Sequence, residues 1–351
     1  GTMFPPARWD HDHALAGRRV AAIGTGASAI QFVPAIQPRV GRLTVFQRTP
    51  PWVLPRRDRA VHPLERALYA RVPGLQRLVR STVFLGRELL VLPFMHPRTV
   101  GPIVERMARA HLARAVPDPA LRAKLTPRYA IGCKRILLSN EWYPALQQPN
   151  VELVTERIAE VRPRAIVTAD GREHEVDTII FGTGFHVTDS PFLGRLRGRD
   201  GLLLADAWHA RGMQALRGTT VAGFPNLFLL AGPNTGLGHN SIVFMIESQL
   251  PYVIGALEEL DRRGAAALEP KPSAQAAYNA WVQRSLKGTV WNSGGCASWY
   301  LDAHGRNTTI WPGASWRFRR HLRRFDPAEY MFHPRTPATP SPAPTPVATP
   351  A

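Results

Sequence analysis

The sequence is poor in cysteine and lysine and has no long apolar run. Its two cysteines, Cys133 and Cys296, are too few for a disulfide framework or a structural zinc site, which suits a reducing cytoplasm. No stretch reaches the roughly 18 to 20 apolar residues that span a bilayer. The most hydrophobic one, Thr82 to Met95, is interrupted by Arg87 and Glu88 and reads as a packed helix. No signal peptide is visible. Nothing forms a Ser-His-Asp set, a metal-ligand group or a catalytic carboxylate pair, so side chains alone do not announce a reaction.

The charge is lopsided. A formal +18 would suit nucleic acid or an anionic surface. Its distribution argues against that. The arginines are scattered at helical spacing through residues 56–128, and only Lys124, Lys134, Lys271 and Lys287 are lysines. A basic nucleic-acid-binding module is therefore a minor alternative, which steep salt dependence of DNA retention would favour.

The strongest positive signal lies in residues 18–49. Val20 to Ile23 suits a buried parallel strand, Gly24, Thr25 and Gly26 make a tight turn, and Ala27 to Ile36 has helical character. Gly24 permits the turn, Gly26 lets the backbone approach a pyrophosphate, and Ala29 takes the third small position, where helix and strand pack closely. Ala27 and Ser28 open the helix, whose free N–H groups and dipole favour an anion. A second strand, Leu43 to Phe46, ends in Gln47, Arg48 and Thr49. A carboxylate here would hold a ribose 2′-hydroxyl, whereas Arg48 accommodates a 2′-phosphate, so the expected ligand is NADPH rather than NADH.

Three later segments read as cofactor-facing. Gly182, Thr183 and Gly184 end a buried strand at Phe181, and such small residues let backbone pass close to a ligand. His186 beside them reads as a loop residue rather than a base. Gly232, Pro233 and Asn234 follow an expected strand, Leu227 to Leu230, and precede a helix expected over Ile242 to Leu257. The start of that helix, near Asn240 to Ile242, is placed to face a bound cofactor.

These segments carry a resemblance. ARWDHDHALAGRRVAAIGTGASAIQFVP, GCKR at 132–135, FGTGFHVTD at 181–189 and FPNLFLLAGPNTGLGHNS at 224–241 resemble class B flavoprotein monooxygenases, most closely the Baeyer–Villiger and 4-hydroxyacetophenone monooxygenase-like members. The resemblance covers the chain to about Tyr330 and implies an α/β fold with two dinucleotide-binding domains. It implies FAD and NADPH as cofactors and O2 plus a small-molecule ketone, or a nitrogen or sulfur heteroatom, as substrates. Oxygen would be inserted through a C4a-peroxyflavin. Arg135 would stabilise that anionic species as the catalytic residue, since a guanidinium stays charged and offers several donors. Lys134 would join Arg48 on the 2′-phosphate, and Trp299 in CASWYLD would belong to a mobile segment covering the nicotinamide. Asp302, Arg306 and Asn307 nearby have no assignable role.

Of the family's two glycine fingerprints, only the NADPH one is found, so the N-terminal FAD half is expected to be missing. Gly1 and Trp9 match the glycine and tryptophan of the family's F-x-G-x-x-x-H-x-x-x-W signature, but Pro5 stands where its histidine falls. The expected organisation is a linker over 1–14, an NADP-binding domain over 15–190 with a helical insertion at 56–128, the C-terminal part of an FAD-binding domain over 191–333, and a disordered Pro/Thr/Ala tail over 334–351. The main alternative to a monooxygenase is a non-catalytic NADP-binding fragment or pseudoenzyme.

Overall fold

The computed structural model describes residues 1–56, 58–185 and 192–335. His186, the expected boundary at 190/191 and the tail from residue 336 onward lie outside the described residues.

Five parallel strands form the central sheet, in spatial order Thr2–Phe4, Thr178–Phe181, Arg19–Ile23, Arg42–Phe46 and Val151–Val154. The inner strands are apolar on both faces, as a sheet covered on both sides requires; Val20, Ala21 and Ala22 are fully buried. The helix Ala29–Ile36 closes one face with Ala29, Ile30, Val33 and Ile36. From Arg19–Ile23 the chain moves outward through Arg42–Phe46 to Val151–Val154, then returns on the other side with Thr178–Phe181. This reversal opens a crevice at the carboxyl ends of the two strands that flank it, the place where open α/β sheets bind ligands.

The first residues are not a linker. Thr2–Phe4 is an edge strand in register with Thr178, Ile179 and Ile180. It stays because Phe4 is buried, with its ring 5.2 Å from Trp9, which in turn lies 5.8 Å from Phe32. Pro5 follows the strand directly and starts the short turn Pro6–Arg8.

One ion pair fixes the entry to the sheet. Asp177 accepts from the backbone N–H and the guanidinium of Arg19, and these bonds hold its carboxyl down at about 2. A depressed folded value contributes stability that is present above the unfolded value near 4 and lost as pH falls through about 2. Asp177→Asn is expected to lower the melting temperature at pH 6 but to match the parent chain near pH 2, which paired thermal melts check.

The insertion supplies the helices Pro63–Arg71, Leu75–Glu88, Gly101–Ala115 and Pro119–Lys124. Leu75–Glu88 corrects the packed helix expected over Thr82 to Met95. Phe84 packs on Phe244 at 4.7 Å, and buried Glu88 accepts from the Ser315 N–H at 2.9 Å and from the Asn240 amide. Leu78, Val83, Leu85 and Leu89 are instead about 60% exposed. At 100° per residue, Phe84 and Glu88 lie about 40° apart and turn towards the body, while these apolar residues are left in solvent.

The C-terminal lobe packs the helices Ile242–Arg262, Pro272–Leu286 and Ser315–His321 with the antiparallel pair Ala265–Pro270 and Tyr330–Pro334. Its core is Met245, Tyr252, Leu268, Trp311 and Phe318. Pro334 therefore belongs to a strand, not to the expected tail. The strand expected over Leu227 to Leu230 reduces to a single bridge between Phe228 and Thr220. Asn226 and Ala231, at φ 57° and 54°, take left-handed backbone on either side and stop any extension. Trp52, Phe94, Tyr129 and Ile131 share one buried cluster with Val290, Trp291 and Tyr300, which joins the insertion to the later chain.

Candidate functional site

At the end of the central strand, Gly24 adopts φ +105°, and its N–H donates to the Phe46 carbonyl at 2.9 Å. A Cβ on Gly24 would collide with the Gly182 carbonyl oxygen, so glycine is required by the opposite wall of the crevice itself. A Cβ on Gly182 would in turn press on the Ala29 Cβ at 3.3 Å, which accounts for the small residue at 29. Gly26 differs, because a Cβ there would meet nothing within 4 Å. The protein does not need glycine at that position.

The turn leads into Ala27, Ser28 and the helix Ala29–Ile36, which has no side-chain cap and no acid in its first turn; the Ile30 N–H donates to the Gly26 carbonyl and those of Gln31 and Phe32 to the Ser28 carbonyl, so an anion meets the N–H groups ahead of Ile30. Thr25 is buried and donates to the Thr49 carbonyl at 3.2 Å, tying the glycine turn to the Arg48 loop. Thr183 and Gly184, the latter at φ +100°, are exposed across the crevice.

Arg48 is exposed beside this turn. Half-buried Lys134 lies with its Nζ 5.4 Å above the Tyr129 ring. Burial, and then the charge of Arg48, push the Lys134 ammonium below its usual range. Among the described residues, no carboxylate pairs with Arg48, Lys134 or Arg135. A lysine whose affinity for protons a neighbouring guanidinium lowers marks a place for an anion.

The loop 129–135 is held from several directions. The Trp52 indole donates to the Tyr129 carbonyl at 2.9 Å, the Tyr129 hydroxyl donates to the Pro50 carbonyl at 3.2 Å, and the Ile131 N–H reaches Glu105 at 3.0 Å. Burial pushes Tyr129 up to about 12. Gly132 sits at φ +93° with the Phe94 ring against it. Cys133 is disulfide-bonded to Cys296, with 6.2 Å between Cα atoms. One link is not a framework, but it removes the cysteine-based argument for a reducing compartment. A sequence separation of 163 hid the pair, because only the tertiary fold brings the two loops together.

Arg135 is exposed and close enough to Tyr300 to act on its hydroxyl, which burial raises to about 12 against the pull of that charge. Trp299 is 48% exposed, and its ring lies 4.6 Å from that of Tyr300. Arg135 and Trp299 thus meet around Tyr300, a residue that sequence reasoning missed. Asp302 and Arg306 pair with each other at 2.9 Å, and buried Asn307 accepts the Thr309 and Ile310 N–H groups, so these are loop braces.

The other lobe is less open than expected. Gly232 is small because the Gly218 carbonyl lies against it. Asn234 donates to the carbonyls of Asn307 and Ile310, at 2.8 and 3.1 Å, and is buried. Pro233 sits between them, its carbonyl against Gly218. These residues shape the loop through their own lobe. Ile242, 41% exposed, begins a 21-residue helix whose N-terminus has no side-chain cap.

No family model matches the sequence. The chain is 56% identical over 340 residues to a Baeyer-Villiger monooxygenase of Streptomyces coelicolor, covering 96% of this chain and 65% of that protein. It is 52% identical over 331 residues to a Baeyer-Villiger monooxygenase of Pseudomonas aeruginosa, covering 94% and 63%. The chain therefore spans a little under two thirds of these relatives. A solved structure of an oxidized steroid monooxygenase bound to NADP matches 95% of this chain and 70% of its own, with a TM-score of 0.77 and 29% identity. By fold and by sequence, the chain belongs to the flavoprotein monooxygenases that include the Baeyer–Villiger enzymes.

Proposed function

We propose that this chain carries the NADPH site and part of the FAD site of a monooxygenase that inserts one oxygen atom from O2 into a ketone or oxidises a nitrogen or sulfur atom. The observation that carries the reading is the pair Arg48 and Lys134, without a carboxylate partner among the described residues, beside the turn 24–26.

The residues present fit a dinucleotide with a 2′-phosphate. The open side of Gly26 and the uncapped helix at Ala29 receive the pyrophosphate through backbone N–H groups. Arg48 takes the 2′-phosphate with charge-assisted bonds, and Lys134 adds a second charge from above Tyr129. Thr183 and Gly184 form the facing wall. Trp299 covers the nicotinamide end and excludes water. Arg135 offers a fixed positive charge to an oxygen anion that develops on the substrate. The helix N-terminus at Ile242 would face the flavin, with Gly232, Pro233 and Asn234 bracing the loop that leads to it. Bound FAD would accept a hydride from NADPH and deliver the electrons to O2.

The test is the absorbance spectrum of the chain with FAD, followed by NADPH under air with a simple aryl ketone or thioether. Bleaching, reoxidation and a product heavier by one oxygen atom are expected. A chain that binds NADPH but retains no flavin would favour the second reading, a non-catalytic NADP-binding protein.

A further inference from the structure

Cys133 directly precedes Lys134 and Arg135, and Cys296 lies three residues before Trp299. Their disulfide joins the two loops that carry the cations and the covering tryptophan. The Ala130 N–H also donates to the Gly294 carbonyl at 3.2 Å, and a Cβ on Gly294 would run into the Cys133 side chain, so the loops lie in direct contact there. Beyond Trp299 the chain is pinned again, because Tyr300 is buried in the same cluster as Cys133 and its carbonyl accepts from the Thr308 N–H at 3.2 Å. Exposed Trp299 is thus strung between one covalent anchor and one packed anchor. The stretch 297–299 between them is half-buried to exposed, so the covalent link is its main restraint on that side.

We propose that Cys133 and Cys296 are positioning residues, whose disulfide holds the Lys134–Arg135 loop and the Trp299 segment in the arrangement that NADPH uses. The proposal rests on the cofactor reading above. Opening the link consumes one dithiol: the disulfide gains two electrons and two protons and becomes two thiols, while the dithiol closes to its own disulfide. The freed segments must then be ordered when the ligand binds. Ordering one backbone residue corresponds to about tenfold weaker affinity.

The experiment compares the chain oxidised with glutathione disulfide, the same chain reduced with dithiothreitol, and Cys296→Ser. Thiol titration of the unfolded chain is expected to find no free thiol in the oxidised sample and two after reduction; two free thiols after oxidation would overturn the proposal. Trypsin reads the loop without any cofactor, and cleavage after Lys134 and Arg135 is expected to be several-fold faster in the reduced chain and in Cys296→Ser. Equal cleavage in all three would overturn the tether. NADPH titration is expected to give about tenfold weaker binding in the two opened forms, and equal affinities would overturn the positioning role. If NADPH binds none of the three while cleavage still responds to reduction, the cofactor reading fails and takes the positioning role with it, leaving the tether as a purely structural link.

Discussion

Arg48→Ala is expected to weaken NADPH binding by about 100-fold while leaving NADH binding within about threefold. A phosphate dianion held by a guanidinium makes charge-assisted hydrogen bonds worth about 1.5 to 3 kcal/mol each, and their loss is partly offset only if another cation substitutes. Lys134 is that other cation, but its ammonium is half-buried and sits over the Tyr129 ring. It supplies a point charge without the paired geometry of a guanidinium. Lys134→Ala is accordingly expected to cost less, about tenfold. The two positions share one phosphate, so the double variant should fall short of the product of the single effects. Fluorescence titration of both nucleotides against all three variants measures this. Equal losses for NADPH and NADH in Arg48→Ala would show that the 2′-phosphate is not what Arg48 holds.

The second large effect separates two glycines of one turn. Gly24→Ala is expected to destabilise the chain by about 3 kcal/mol, because φ +105° is strained for any L side chain and its Cβ would push on the Gly182 carbonyl. The walls of the crevice would part, and nucleotide affinity would fall with stability. Gly26→Ala has open space around its Cβ and no left-handed backbone to maintain, so stability should stay within about 1 kcal/mol of the parent. Its NADPH affinity should nevertheless drop about 10- to 100-fold, since the methyl occupies the side from which the pyrophosphate meets the backbone. Denaturant melts and NADPH titrations on both variants decide the matter. Undiminished binding by Gly26→Ala would place the pyrophosphate elsewhere.

The β-α-β unit was legible because every part of it is local. A strand, a glycine turn, an amphipathic helix and a second strand follow one another within about thirty residues, and that spacing leaves little freedom. The elements at residues 19–46 accordingly match expectation to within two residues. What was not legible depends on partners far along the chain. Thr2–Phe4 is only three residues long, and its pairing with Thr178–Phe181 spans about 175 positions. The Cys133–Cys296 link has no local signature. Asn234 read as cofactor-facing from its motif, but its amide is committed to the Asn307 and Ile310 carbonyls, a role that no spacing announces. Leu227 to Leu230 has the composition of a strand, and backbone turns at Asn226 and Ala231 overrule it.

The helix Leu75–Glu88 presents its leucines outward and touches the body through little more than Phe84 and Glu88. Such an element draws little on burial for its stability, so its opening free energy is decoupled from that of the core. In hydrogen–deuterium exchange its amides would become labelled through local opening long before those of Arg19–Ile23 or Arg42–Phe46, whose exchange waits on global unfolding. That helix and the sheet would thus report as two separate cooperative units of one chain.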